Sequence, residues 1–349
     1  MENRKRYSGN VTIVDVAKEA GVSYTTVSRV INNNEHVKPG TRERIMQAME
    51  HLGYEVNRQA RSLAGGRSNI IGLLVPDMGT GYIGEIVRGI DEVLTLAQYD
   101  LMLYTTHMRQ AKEASYVVSL ARGTVDGLLL VLPRNPGADL EILNRHNVPY
   151  ILIDHQGIGE TDAAVGATNK QGAYEATQYL LQLGHRRIGF VTGTMELGCA
   201  QERLTGYQHA LAAGKGEFDS HLVCQGDFQQ PRGYTAAKEL LSLSRPPTAI
   251  FASNDVSAFG VMEAVRDHGL RIPDDISVVG FDDIPQANTV RPPLTTVRQP
   301  LEHMGRMAAQ MLLESIKNPH HITKRVELPT SLMIRETCKP PRQFLAGSA

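Results

Sequence analysis

The stretch that most constrains this chain is Thr12–Asn33, TIVDVAKEAGVSYTTVSRVINN. Ile13, Val16, Ala17 and Ala20 fall at i, i+3, i+4 and i+7, giving a first short helix one apolar face. Gly21 ends that helix, because glycine takes positive φ at little cost. Ser23 is placed to cap a second helix, in which Val27, Val30 and Ile31 repeat the apolar spacing. Tyr24, Thr25, Ser28, Arg29 and Asn32 are left as an outward polar face. Helix, glycine turn, helix is a layout that lets the second helix lie in a DNA major groove. Spacing alone fits a helical hairpin of an ordinary bundle equally well.

The residues themselves separate the two. VTIVDVAKEAGVSYTTVSRVINN closely resembles the DNA-binding module of the lactose and galactose repressor family, and so does GYEVNRQARSLAGGRSNIIGLLVPD downstream. The resemblance implies a three-helix headpiece over 1–54, completed by a helix near Thr41–Leu52 whose Ile45, Ala48, Met49 and Leu52 face inward. It implies a hinge over 55–67, where Asn57, Ala60 and Leu63 meet DNA and Leu63 wedges into the minor groove. A plain linker is the competing reading of that weak helical pattern, which is too short to be stable by itself. Val56 stands where the family usually has proline, which implies a looser start to the hinge helix. In the second helix, Tyr24, Thr25 and Arg29 match positions facing base edges, and Arg29 can make a bidentate contact to guanine. Ser23, Thr26 and Asn32 suit phosphates. Thr25 departs from the glutamine of the lactose repressor, so that protein's operator is not assumed here.

Length and charge agree with a DNA-binding module on a larger body. The 349 residues are too many for one small domain, and 42% apolar residues suit a globular core. Up to Arg67 the chain carries 11 Lys and Arg against 7 Asp and Glu, and beyond it 25 against 30. Cys199, Cys224 and Cys338 show no CxxC or paired-histidine spacing, so neither disulfides nor a metal site is expected. No signal-peptide run or membrane-length apolar window is visible, and the expected location is the cytoplasm.

From Asn69 onward, short apolar runs alternate with amphipathic helical patterns. The spacing predicts strands at Ile70–Val75, Leu101–Tyr104, Gly127–Leu132, Tyr150–Ile153, Arg187–Val191, Ala249–Ala252 and Ser277–Phe281. Helices are predicted at Ile83–Ala97, Gln171–Leu183 and Val256–His268. Strand, helix, strand in series means an α/β chain with parallel sheets covered on both faces, here two in tandem. By the family likeness, 68–337 is an effector-binding core of periplasmic-binding-protein architecture. Its N-subdomain takes 68–166 and 298–328, its C-subdomain 167–297 and 329–337, with a disordered tail over 338–349. No leucine-heptad helix follows, so a homodimer on a near-palindromic operator is expected.

A ligand in such a fold sits between the subdomains, at the carboxyl ends of the strands. Asp77, Asp154, Asn254 with Asp255, and Asp282 with Asp283 stand at those ends, although a lone Asp at a strand end is more often a cap or turn residue. The resemblance assigns Asp154, Arg203, Phe228, Asn254 and Asp282 to the effector, with Asp77 and Tyr82 on the first-subdomain wall. The family's Asn-Pro-Phe turn is replaced by Thr80, Gly81 and Tyr82. Leu197 and Gln201 stand where relatives that bind charged purines are more polar, so a neutral sugar is the expected ligand. A transport system's sugar-binding protein would share the core but have no use for Thr12–Asn33. A sugar-processing enzyme lacks GxGxxG, GxSxG, HExxH or a Walker loop here. No catalytic residue and no cofactor is expected.

Overall fold

Thr12 opens the first helix by donating its backbone N–H and its hydroxyl to the Asp15 carboxylate, at 2.9 and 2.7 Å. The computed structural model describes residues 11–31, 36–54, 67–79, 81–134, 136–155, 163–214, 218–318 and 325–342. It divides into two compact units, Met1–Ser68 and Asn69–Ala349.

In the first unit, α1 (Ile13–Glu19), α2 (Tyr24–Ile31) and α3 (Pro39–Leu52) enclose a small core. Val16, Ala17, Ala20, Val27, Val30, Ile45 and Ala48 are buried in it. Gly21 has φ +63°, the left-handed turn expected after α1. Ser23 Oγ accepts the Thr26 N–H at 3.2 Å and caps α2 as expected. Helix α3 begins two residues earlier than its apolar spacing predicts, because Pro39 occupies the first turn, where a missing N–H costs nothing.

The second unit holds two six-stranded sheets. In chain order the first sheet's elements are β1 (Ile70–Val75), α4 (Gly81–Leu96), β2 (Asp100–Thr105), α5 (Gln110–Leu120), β3 (Gly127–Val131), α6 (Pro136–Arg145), β4 (Tyr150–Ile153) and β5 (Ala164–Ala167). The chain then enters the second sheet through α7 (Asn169–Gln182), β6 (Ile188–Val191), α8 (Gly198–Ala213), β7 (Val223–Cys224), α9 (Gln230–Leu241), β8 (Ala249–Ala252), α10 (Asp255–Asp267), β9 (Ser277–Asp282) and β10 (Thr295–Arg298). Helix α11 (Leu301–Lys317) and β11 (Val326–Leu328) return to the first sheet, and β12 (Ser331–Met333) ends in the second.

Strand order is β11-β5-β4-β3-β1-β2 in the first lobe and β12-β10-β9-β8-β6-β7 in the second. All pairings are parallel except β10 with β12. The β1, β3, β4, β6, β8 and β9 cores are buried on both faces, as uninterrupted apolar runs such as LLLV require. Three crossovers join the lobes, and two of them are tied side by side, Thr168 Oγ1 lying 3.0 Å from Thr330 Oγ1.

One expectation is corrected. The stretch after Cys338 was expected to be disordered, but Lys339–Arg342 packs on the second lobe. Its anchor is His185, which lies 3.0 Å from the Lys339 carbonyl and 2.8 Å from Thr248 Oγ1. Arg342 also pairs with Asp275 at 2.7 Å. Pro and charged residues read as unstructured in isolation, yet here they satisfy a buried imidazole. Residues 343–349 lie outside the described residues.

Candidate functional site

Burial of Val27 and Val30 fixes the rotation of α2 and turns the opposite face outward. Tyr24, Thr25 and Arg29 are exposed and Ser28 is half-buried. Tyr24 is 62% exposed, so it does not pack against α3. Ser23 and Thr26 form the first turn, their hydroxyls 2.9 Å apart. The face therefore offers hydroxyls at a helix N-terminus and a guanidinium one turn on, groups suited to phosphates and to a base edge. Asn32, Asn57, Ala60 and Leu63 lie outside the described residues.

In the second unit, all seven expected effector residues line one cleft between the lobes, which holds about 630 Å³ of space, part of it open to solvent. Each sits at or just beyond the carboxyl end of a parallel strand, or on the helix that follows. Asp77 follows β1, Tyr82 starts α4 and Asp154 follows β4. From the second lobe come Arg203 of α8, Phe228 after β7, Asn254 after β8 and Asp282 ending β9. The lobes touch beside the cleft at Gly81, where an added Cβ would lie 2.6 Å from Gln286 Oε1 and 3.3 Å from Pro285.

Arg203 organises the floor. Only 2% exposed, it donates Nε–H to Asn169 Oδ1 at 2.8 Å and Nη1–H to the Ser253 carbonyl at 2.6 Å. Asp282 lies 3.4 Å from Nη1 and Asp154 lies 3.9 Å from Nη2. The guanidinium also stacks 3.9 Å from the centroid of Phe281. Such a buried ion is tolerable only because Nε and Nη1 are hydrogen-bonded and two carboxylates lie within 3.9 Å of the guanidinium. Asp154 takes further bonds from the Tyr82 hydroxyl at 2.8 Å and Asn169 Nδ2 at 3.3 Å. Asp282 takes one from Gln299 Nε2 at 2.8 Å.

Burial pushes the Asp282 carboxyl up to about 7, against the pull of Arg203 and Gln299. Burial also raises the Tyr82 phenol, helped by Asp154, so it remains a neutral donor. Arg203 stays firmly charged: burial works against the charge, but the Asp282 and Asp154 carboxylates outweigh it. The Cys199 thiol in the cleft wall is raised by burial and is a poor nucleophile.

Phe228 has φ +68°, and its ring covers Gly193 so closely that a Cβ there would lie 2.0 Å from Cζ. That ring is a platform on the cleft wall. Asn254 is engaged in local structure as well: its Oδ1 caps α10 through Ser257 N–H at 2.9 Å, and its Nδ2 donates to the Phe228 carbonyl at 3.1 Å. Asp77 holds Gly79 N–H at 2.9 Å in a turn. The two adjacent pairs noted in the sequence, Asn254 with Asp255 and Asp282 with Asp283, split. Asp255 is wholly buried and clamps Ile284 N–H at 2.9 Å and the Thr296 hydroxyl at 2.5 Å. Asp283 pairs with Arg298 and Arg335, both at 2.6 Å.

Sequence reasoning missed Asn169, the first residue of α7 and two positions ahead of its apolar pattern, and Gln299, in the crossover between β10 and α11. It also missed Arg134, which follows β3 and lines the cleft. An arginine three residues past a buried strand was the available signal. Among the described residues, no cluster of three or more His, Cys, Asp or Glu is placed to hold a metal ion, and no helix is long and apolar enough to cross a membrane.

A helix-turn-helix unit and a two-lobed α/β unit, whose cleft sets charged and amide groups among apolar walls, define a DNA-binding regulator that answers to a small ligand. Comparison with known proteins gives the family. Residues 12–57 match the model for bacterial regulatory proteins of the lacI family, and residues 177–338 match a periplasmic binding protein-like domain. Catabolite control protein A of Priestia megaterium is 34% identical over 332 residues, 95% of this chain and 100% of that protein. The HTH-type transcriptional repressor PurR of Vibrio campbellii is 35% identical over 329 residues, 94% and 98% of the two chains. A transcriptional regulator CelR–cellobiose complex matches with a TM-score of 0.73 and 34% identity, covering 94% of this chain and 99% of that one. The Lac repressor dimer bound to operator and the anti-inducer ONPF matches with a TM-score of 0.82 and 29% identity, covering 95% and 100%. The chain belongs to the LacI family. It is a ligand-responsive, DNA-binding transcriptional regulator, not an enzyme.

Proposed function

We propose that two copies of the chain, working in the cytoplasm, repress transcription by gripping a near-palindromic operator, and that a sugar-like effector in the cleft sets their DNA affinity. In this reading Tyr24, Thr25 and Arg29 read bases, Ser23, Thr26, Ser28 and Asn32 serve phosphates or neighbouring base edges, and Asn57, Ala60 and Leu63 belong to the hinge. The headpiece spans 1–54, the hinge 55–67 and the effector core 68–337, with subdomains exchanging near 166, 298 and 328.

The observation that carries the effector half is the convergence of Asp77, Tyr82, Asp154, Arg203, Phe228, Asn254 and Asp282 on one cleft. Paired carboxylates, an arginine and an amide around an aromatic platform match the alternating hydroxyls and apolar face of a sugar. The cellobiose bound by CelR and the operator-bound Lac repressor dimer support the same reading. An effector acts only if it binds one of two conformations better than the other. The test is a gel shift on selected DNA with a panel of mono- and disaccharides, with purines as a control arm. A sugar that shifts DNA affinity supports the proposal. A response to purines alone would replace the sugar with a nucleobase.

A further inference from the structure

Outside the cleft floor, one pair of acidic side chains is at odds with its surroundings. Glu113 of α5 and Asp139 of α6 are 4% and 1% exposed, and their carboxyl groups lie against each other. Neither makes an ion pair with a cation among the described residues. Glu113 accepts the Arg134 N–H at 3.0 Å, but both Asp139 oxygens lack a donor. Two buried carboxylates with four acceptor atoms and one donor between them repel each other. A single shared proton converts one oxygen into a donor and removes the conflict.

The surroundings offer no other relief. Thr106 and the carboxyl ends of β1 and β3, Val75, Val131 and Pro133, pack around Glu113. The remaining ionisable groups on or beside the adjoining elements are Arg109, Lys112, Tyr116 and Arg122 with α5, Glu141, Arg145 and His146 with α6, Asp100, Tyr104 and His107 with β2, Asp126 before β3, Tyr150 and Asp154 with β4, Asp77 after β1, and Arg134 itself. None of these cations is ion-paired to either carboxyl among the described residues. Position makes the pair consequential, because the amide held by Glu113 belongs to Arg134, and Leu132 and Arg134 form part of the effector-cleft wall.

We propose that Glu113 and Asp139 form a one-proton latch behind the cleft wall: sharing the proton they hold α5, α6 and the Leu132–Arg134 segment together, and losing it they release that segment and weaken effector binding. Burial and the neighbouring Glu113 push Asp139 up to about 7, so the latch operates near neutral pH. In what it regulates, the inference rests on the effector reading above; in the proton it holds, it does not.

The test needs no effector. Hydrogen exchange of the ligand-free, full-length protein is followed on peptides covering 132–145, from about pH 6 to about pH 8.5, after correction for base-catalysed intrinsic exchange. Wild type loses protection there by roughly tenfold as pH rises, while peptides of the second lobe do not. Asp139→Asn and Glu113→Gln each replace the shared proton with a permanent N–H donor and make protection independent of pH. If one variant fails to fold, the other carries the comparison. Wild-type protection that stays flat, or variants as steep as wild type, would overturn the latch. A cellobiose titration on the same samples separates the two claims: no binding at any pH alongside a switching segment defeats that sugar as effector and leaves the latch standing, whereas pH-independent binding alongside it defeats the link to the cleft.

Discussion

The Tyr82 hydroxyl donates to Asp154 Oδ2 at 2.8 Å, joining the first helix of the first lobe to the carboxyl end of β4. Both groups are nearly buried, so the bond is protected from water. Tyr82→Phe keeps the ring and removes only this donor. A hydrogen bond to a charged acceptor contributes about 1.5 kcal/mol or more, and chemical denaturation should show a loss of about that size. An unchanged denaturation midpoint would mean that Asn169 and Arg203 already satisfy Asp154.

Arg203 is the counter-ion of two buried acids. Arg203→Met leaves Asp154 and Asp282 without it, and breaking a buried pair by removing one partner costs about 3–5 kcal/mol. Because Asp282 already sits up at about 7, protonation offers a partial escape in this variant. The deficit against wild type should therefore shrink as pH falls from about 8 to about 5. Paired denaturation curves at the two ends of that range check it.

His185 gives a separate pH signature. Burial pushes its imidazole down to about 4, the Lys339 carbonyl only partly opposing, while the unfolded chain titrates near the ordinary 6.5. The neutral ring's contribution is complete above about 6.5 and is lost as pH falls toward 4, on the order of 3 kcal/mol at the acid end. His185→Gln should flatten the stability profile over this window and release the Lys339–Arg342 segment to proteolysis. A variant whose profile parallels wild type would contradict the assignment.

How much of this was legible in advance follows from what sequence patterns record. Long or fully buried strands such as β1, β4 and β8 announce themselves as apolar runs, and their bounds matched expectation. The two-residue β7 and the Ala-Val-Gly-Ala of β5 carry no such run, so they were invisible, as were β10 and β11 with their Thr, Arg and Glu and the three-residue Ser-Leu-Met of β12. That Asp77, Tyr82, Asp154, Arg203, Phe228, Asn254 and Asp282 share one cleft was legible through family resemblance and strand ends together. Asn169 and Gln299 were not, because their roles depend on long-range crossovers that bring residue 169 to Arg203 and residue 299 to Asp282. The Glu113–Asp139 pair is likewise a tertiary fact, since either acid alone reads as a solvated helix face.

The two sites should separate by mutation. Arg29→Ala removes a candidate base contact on an exposed helix face and should reduce discrimination for the selected operator by about 1–3 kcal/mol while leaving effector binding intact. Asp282→Asn should do the reverse, retaining DNA binding and losing the effector response. Salt titration adds an internal check: log affinity should fall by about 0.9 per phosphate contact per log unit of salt, so a Ser23→Ala loss that shrinks the slope marks a phosphate contact. Both variants losing both activities would refute the division of labour.

Selection of wild-type protein on a random duplex pool, with and without each sugar of the panel, tests the central claim most directly. The account predicts enrichment of a two-fold symmetric sequence and a change in its recovery with one sugar. Recovery of no preferred sequence under any condition, or of one indifferent to every small molecule that fills the cleft, would contradict it.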